Sequence, residues 1–241
     1  MRRVAIVPIL AVLLISLSGC RSTTSPEPAP TSPATKKNDA VPVEVSPSTE
    51  DSLKSDPRPR IVCFGDSLTA GYGTEAGQAY PDYLQSDLDS KGYSYKVVNA
   101  GISGNTTKDG VERLPSVLAM KPVLVVVEFG GNDGLRGLRI ADTRANLDKI
   151  VSTITSSGTK VVLAGITLPP DYGPDYIQQF NETYTLLARQ YRIPMLPFLL
   201  KGVFGVDGMM QADRTHATAQ GNKVVAQNVY SLIQPQLKKS R

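Results

Sequence analysis

The chain has 241 residues, a formal net charge of +4, 41% hydrophobic and 6% aromatic residues, and no tryptophan. This balance fits one globular domain with appended segments and excludes a bundle of membrane spans. Residues 21–60 carry equal numbers of acidic and basic side chains, so a charge of only +2 falls on residues 61–241 once Arg2 and Arg3 are set aside, and a nucleic-acid partner gains no support.

Residues 1–19 read as a secretion signal. Arg2 and Arg3 give a positive start, and an apolar run from Val4 to Leu17, interrupted by Pro8, precedes small residues. The run is too short to span a bilayer comfortably. Its end, Leu17-Ser18-Gly19-Cys20, resembles the lipobox of bacterial lipoproteins, which implies cleavage before Cys20, lipid on that cysteine, and a protein anchored in a bacterial cell envelope facing the periplasm or the exterior. Residues 20–60 hold 8 of the 18 prolines, many Ser and Thr and no aromatic residue, so they read as the lipidated cysteine followed by a disordered tether. The remaining Cys63 has no partner for an internal disulfide and reads as a small buried hydrophobe.

From residue 61 to 241, short apolar runs alternate with longer helical patterns, the mark of a parallel sheet covered on both faces. The expected strands are Ile61–Phe64, Lys96–Asn99, Val123–Phe129, Lys160–Ile166 and Ile193–Leu196. The expected helices are Tyr80–Lys91, Thr107–Met120, Thr143–Ser157, Tyr176–Tyr191 and Thr218–Leu237. Five strands with right-handed crossovers make one doubly wound sheet, whose ligands bind beyond the carboxyl ends of the strands. The residues after each strand are therefore the ones to watch: "GDSL" from Gly65, "GISGN" from Gly101, "GGNDG" from Gly130 and "TLP" from Thr167.

Ser67 sits where a strand turns into a helix, a position that exposes a hydroxyl and aims helix N–H groups at the same space, as nucleophilic acyl transfer requires. It needs a base, and the chain contains one histidine, His216, three residues after Asp213. A carboxylate at that distance across a turn can fix the imidazole tautomer and leave the other ring nitrogen for the serine. Asp66 reads mainly as a turn and cap residue. A phosphate cradle is disfavoured because no Gly-Lys-Ser/Thr follows the turn, and no metal is expected, since one histidine and one free cysteine leave only carboxylates such as Asp66, Asp133 and Asp213 as ligands. The "GISGN" string lacks the second glycine of a GxSxG elbow, so Ser103 is the minor rival to Ser67.

The four strings "FGDSLTAGYG", "NAGISGNTT", "EFGGNDGLRG" and "DRTH" resemble, in order and spacing, the four sequence blocks of the SGNH (GDSL) hydrolase family. "GGNDGLRG" and "LPPDYGPDY" are similar to its thioesterase I / lysophospholipase L1 branch, often labelled arylesterase. The resemblance covers residues 61–241 and implies a flavodoxin-like three-layer α/β/α sandwich around a five-stranded parallel sheet. It implies Ser67 as nucleophile, His216 as base and Asp213 as the residue that orients it. The implied oxyanion hole is the N–H of Ser67, the N–H of Gly104 and the side-chain amide of Asn132. Leu135 and Leu168 are the implied acyl contacts, in loops at residues 134–137 and 168–172. One departure stands out: Ala217 and Thr218 follow the histidine where the family commonly has Pro and Asn. The expected enzyme is a monomer without cofactor, acting on a small acyl ester, thioester or lysophospholipid; a carbohydrate acetyl esterase and a non-catalytic envelope binding protein are the alternatives.

Overall fold

A computed structural model describes residues 56–239. The expected signal, the lipid on Cys20 and the tether up to residue 55 lie outside them. In chain order the elements are β1 (Arg60–Gly65), α1 (Ser67–Ala70), α2 (Tyr80–Ser90), β2 (Lys96–Gly101), α3 (Thr107–Ala119), β3 (Leu124–Glu128), α4 (Gly131–Leu135), α5 (Ile140–Ser156), β4 (Lys160–Ala164), a 3-10 turn (Pro170–Tyr172), α6 (Pro174–Tyr191), β5 (Met195–Leu196), α7 (Ala219–Ile233) and a last 3-10 turn (Gln234–Gln236). Each expected strand and helix is present. The pattern missed the two short helices α1 and α4, because four or five residues are too few to show a helical period. It also overran β3, β4 and β5: the apolar run continues past β3 and β4 into buried Phe129 and Ile166, and it begins before β5 at the half-buried Ile193.

The sheet is parallel throughout, in the order β2-β1-β3-β4-β5. Because helices cover both faces, the central strands are apolar on both sides rather than alternating. Ile61, Cys63, Leu124, Val126 and Val162 pack on one side against Tyr80, Leu84 and Leu88 of α2 and Val225, Val229 and Ile233 of α7. Val62, Phe64, Val125, Val127 and Leu163 pack on the other against Leu114 of α3, Leu147, Ile150 and Ile154 of α5, and Phe180, Tyr184 and Leu187 of α6. Truncating any one of these fully buried aliphatic side chains to Ala costs about 2–5 kcal/mol. Cys63 is part of this core, and burial pushes its thiol up to about 12, so it stays protonated and inert at neutral pH. No helix among the described residues is long and apolar enough to cross a membrane.

Strand order reverses between β1 and β3, whose chain continuations leave in opposite directions across the sheet and open a crevice at their carboxyl ends. Register sets what meets there: Gly65 lies opposite Gly101 on one side and Glu128 on the other. A Cβ at position 65 would come within 2.5 Å of a Glu128 carboxyl oxygen and 2.6 Å of its backbone carbonyl. Glycine is required because the chain must turn against β3 at that point. The nucleophile candidate follows two residues later.

Candidate active site

Ser67 is the first residue of α1, and the turn before it is built by Asp66, whose Oδ1 accepts the Leu68 N–H at 3.1 Å and so caps the helix. Gly71 ends that single turn in the left-handed conformation, with its N–H on the Ser67 carbonyl. The serine hydroxyl is thus mounted on a short, closed loop of backbone.

His216 Nε2 lies 2.8 Å from Ser67 Oγ, and His216 Nδ1 lies 2.6 Å from Asp213 Oδ2. The other oxygen of Asp213 accepts the N–H groups of Thr215 and His216, both at 3.0 Å. Partial burial raises the Asp213 carboxyl, but the His216 ring and these two N–H groups outweigh it and hold Asp213 at about 2. An anion beside Nδ1 keeps the proton on that nitrogen and leaves Nε2 as the acceptor facing Ser67. The residues expected to be far apart in sequence but joined in space are therefore joined, in one line from carboxylate to hydroxyl.

The Ala217-Thr218 departure carries its own bracing. Ala217 is buried and bridges Met210, Thr218 Oγ1 donates to the Gly208 carbonyl and accepts from the Gly221 N–H, and the Gln211 N–H donates to the His216 carbonyl. Gln211 also donates from its amide to the carbonyls of Tyr72 and Ala217, tying the histidine loop to the loop after Ser67. The Tyr72 ring lies against the imidazole, with centroids 4.6 Å apart.

Opposite the histidine, Gly104 has φ +81°, a conformation that favours glycine, and Arg136 donates to its carbonyl at 2.9 Å. Neither the Ser67 N–H nor the Gly104 N–H bonds another backbone carbonyl among the described residues. Asn132 Nδ2 points into the same space, yet it donates to Asp66 Oδ2 at 3.1 Å and to the Asn105 carbonyl at 2.9 Å. An oxyanion would have to share or displace one of these partners. Asp133, the neighbouring carboxylate, accepts from both the N–H and the hydroxyl of Thr107 and ties α4 to the start of α3, a structural task. Among the described residues no group of three or more His, Cys, Asp or Glu is placed to hold a metal ion.

The cavity beside Ser67 and His216 has a volume of about 300 Å³. Leu135 and Leu168 line it, the first half-exposed and the second buried, and Ser103 sits exposed on its lining, while the His216 ring bonds Ser67 and Asp213. Tyr172 donates from its hydroxyl to the Leu135 carbonyl, so the two loops expected to shape the groove are fastened together. The opposite wall was not legible in the sequence: Tyr72, Phe198, Leu200 and Phe204 also line the cavity. The one signal for it is a pair of aromatics in "PFLLKGVF", in irregular chain just after the last strand.

Asp66 gives this site a pH signature. Burial opposes its charge and raises its carboxyl from 3.8 to about 6, while hydrogen bonds from the Leu68 N–H, Glu128 and Asn132 pull the other way. A carboxyl raised by folding binds its proton more tightly in the folded state, so its contribution to stability is greatest at low pH and is lost as pH rises through the window from about 3.8 to about 6. Asn132→Ala removes a donor to the charged form and pushes Asp66 higher, deepening that loss. Urea unfolding should show the variant destabilised by about 1–3 kcal/mol at pH 8 and by less at pH 5; an equal loss at both would contradict the role given to the Asn132 amide.

Residues 63–224 match the GDSL-like Lipase/Acylhydrolase family. The chain is 44% identical over 178 residues to esterase TesA of Pseudomonas aeruginosa, covering 73% of this chain and 89% of that protein. It is 36% identical over 176 residues to thioesterase 1/protease 1/lysophospholipase L1 of Escherichia coli K12, covering 73% and 83%. The crystal structure of TesA superposes with a TM-score of 0.72 over 74% of this chain and 99% of that one, and the psychrotrophic esterase EstA from Pseudoalteromonas sp., 28% identical, with 0.70 over 73% and 97%. With sequence blocks, sheet order and site geometry in agreement, the chain belongs to the GDSL-like lipase/acylhydrolase family.

Proposed function

We propose that this protein is a serine hydrolase that cleaves acyl esters or thioesters through an acyl-enzyme on Ser67. The observation that carries the reading is the unbroken line from Asp213 through His216 to Ser67 at the mouth of an apolar cavity. His216 Nε2 takes the Ser67 proton as Oγ bonds to the acyl carbon. The carbonyl oxygen becomes an oxyanion facing the N–H groups of Ser67 and Gly104 and the Asn132 amide, which exchanges or shares its Asn105 partner. The tetrahedral adduct collapses when His216 returns the proton to the leaving alcohol or thiol. A water molecule then repeats the sequence, giving its proton to His216 and its oxygen to the acyl carbon, and frees the acid and Ser67.

Cavity chemistry supports an apolar acyl group. Leu135 and Leu168 on one side, and Phe198, Leu200 and Phe204 on the other, offer hydrocarbon walls, and Arg214 is the one Lys or Arg among the lining residues. Such walls favour a fatty acyl chain over the acetyl group of a polysaccharide. The reading of residues 1–20 as a lipoprotein signal supports an enzyme anchored through Cys20 in a bacterial envelope, where a lysophospholipid or another envelope ester is the better natural donor than acyl-coenzyme A.

Hydrolysis of p-nitrophenyl esters from acetyl to palmitoyl should show a kcat/KM optimum at medium or long chains, and Ser67→Ala should abolish turnover at every length while leaving the unfolding free energy within about 1 kcal/mol of wild type. A sharp acetyl optimum would contradict the fatty-acyl reading, and turnover surviving in Ser67→Ala would end the assignment of the nucleophile. Growth of the expressing bacterium with radiolabelled palmitate should label the wild-type chain and not Cys20→Ser; equal labelling, or none, would remove the lipid anchor.

A further inference from the structure

Directly beneath the nucleophile turn lies a carboxyl group that the reaction above does not use. Glu128 ends β3, is fully buried, and forms no ion pair among the described residues. Its Oε2 accepts the Asp66 N–H at 3.3 Å and the Thr69 hydroxyl at 2.8 Å. Since the single proton of Thr69 is given to Glu128, the Tyr80 hydroxyl, 3.3 Å from Thr69 Oγ1, donates into the same chain. Its Oε1 has no hydrogen-bond partner, and the Asp66 N–H on Oε2 brings the buried Asp66 carboxyl close enough to the Glu128 carboxyl that each acts on the other's ionisation. An ionised Glu128 would bring two buried carboxylates together with no cation between them; a protonated one carries a donor that the Asp66 carboxylate can accept.

We propose that Glu128 acts as a neutral acid that positions the catalytic turn: it accepts from Asp66 N–H and Thr69, and donates its own proton to the Asp66 carboxylate that holds the Asn132 amide. Burial, and then the Asp66 charge, push the Glu128 carboxyl well above the ordinary range, in the direction this arrangement needs. The groups that face the pair are Tyr80 of α2 and Tyr184 of α6, both fully buried and held protonated chiefly by burial, and His216 across from Asp66. On the backbone side Arg113 of α3 donates to the Gly65 and Ala100 carbonyls, closing the turn from the opposite face. Glu128 touches no substrate. Its effect on the reaction passes through Asp66 to Asn132, and in that respect rests on the function proposed above.

Three predictions separate this role from plain packing. Glu128→Gln keeps one donor and one acceptor in the same place, so kcat should stay within about threefold of wild type and the acid limb of the kcat/KM profile should not move. Glu128→Leu removes the donor that holds Asp66 ionised, so kcat should fall by about ten- to a hundredfold, short of the 10²–10³ expected for losing an oxyanion donor itself, with KM nearly unchanged. Its acid limb should shift to higher pH, because the lost hydrogen bond was lowering Asp66. Infrared difference spectra of the purified protein at neutral pH, wild type minus Glu128→Gln, should contain the carbonyl stretch of a buried protonated carboxyl. This last measurement needs no turnover, so it stands if Glu128→Leu does not fold or if Ser67 proves not to be the nucleophile. A spectrum without that band, a Gln variant as slow as the Leu variant, or a Leu variant whose acid limb stays in place would each overturn the proposal.

Discussion

The site depends on one constraint, the parallel register that sets Gly65 level with Gly101 and Glu128. Three strands end in the same plane, so the loops that follow them must share one rim. From β1 comes Ser67, from β2 the turn at Gly104, and from β3 the helix start that carries Asn132. A shift of one residue in either pairing would turn every side chain of the strand to the other face and carry its terminal loop with it. The buried apolar side chains on both faces of the sheet forbid that shift, which is how core packing comes to fix distances among polar groups at its edge.

The remaining partners arrive from the far side of the sheet. His216 and Asp213 lie in the long connection between β5 and α7, the least regular part of the fold, and their placement rests on hydrogen bonds rather than on a strand end. The Thr218 cap, the Met210–Ala217 bridge and the Gln211 amide hold that loop against both α7 and the chain after Ser67. Together they brace the histidine loop, so with Ala217 and Thr218 after it the imidazole stays in line with the serine.

Most of this fold was legible because its strands are apolar on both faces and its long helices are amphipathic, two patterns that survive without any alignment. Ser67 was legible from the strand-to-helix turn, His216 as the chain's one histidine with Asp213 three residues before it, and Gly104 and Asn132 through the resemblance of their sequence blocks to the SGNH (GDSL) hydrolases. Asp66 was legible only by half: its capping oxygen follows from the turn, whereas the oxygen that holds Asn132 depends on a contact across 66 residues. Glu128 was hidden inside the run "LVVVEF", where it reads as the end of a buried strand, although a lone carboxyl in such a run marks a group that must be either paired or neutral. The aromatic wall of the cavity escaped because Tyr72, Phe198 and Phe204 come from two irregular segments whose meeting only the tertiary structure sets.

The account therefore places one activated hydroxyl at the end of β1 and makes every other feature of the rim serve it. Reaction of the full chain with a fluorophosphonate, followed by intact-mass and peptide analysis, tests that claim most directly, because Oγ must displace fluoride to form a stable adduct. The account predicts one adduct per chain, on the peptide that contains Ser67, formed far more slowly in His216→Ala. An adduct on Ser103 or elsewhere, or an unmodified chain that still hydrolyses esters, would contradict it.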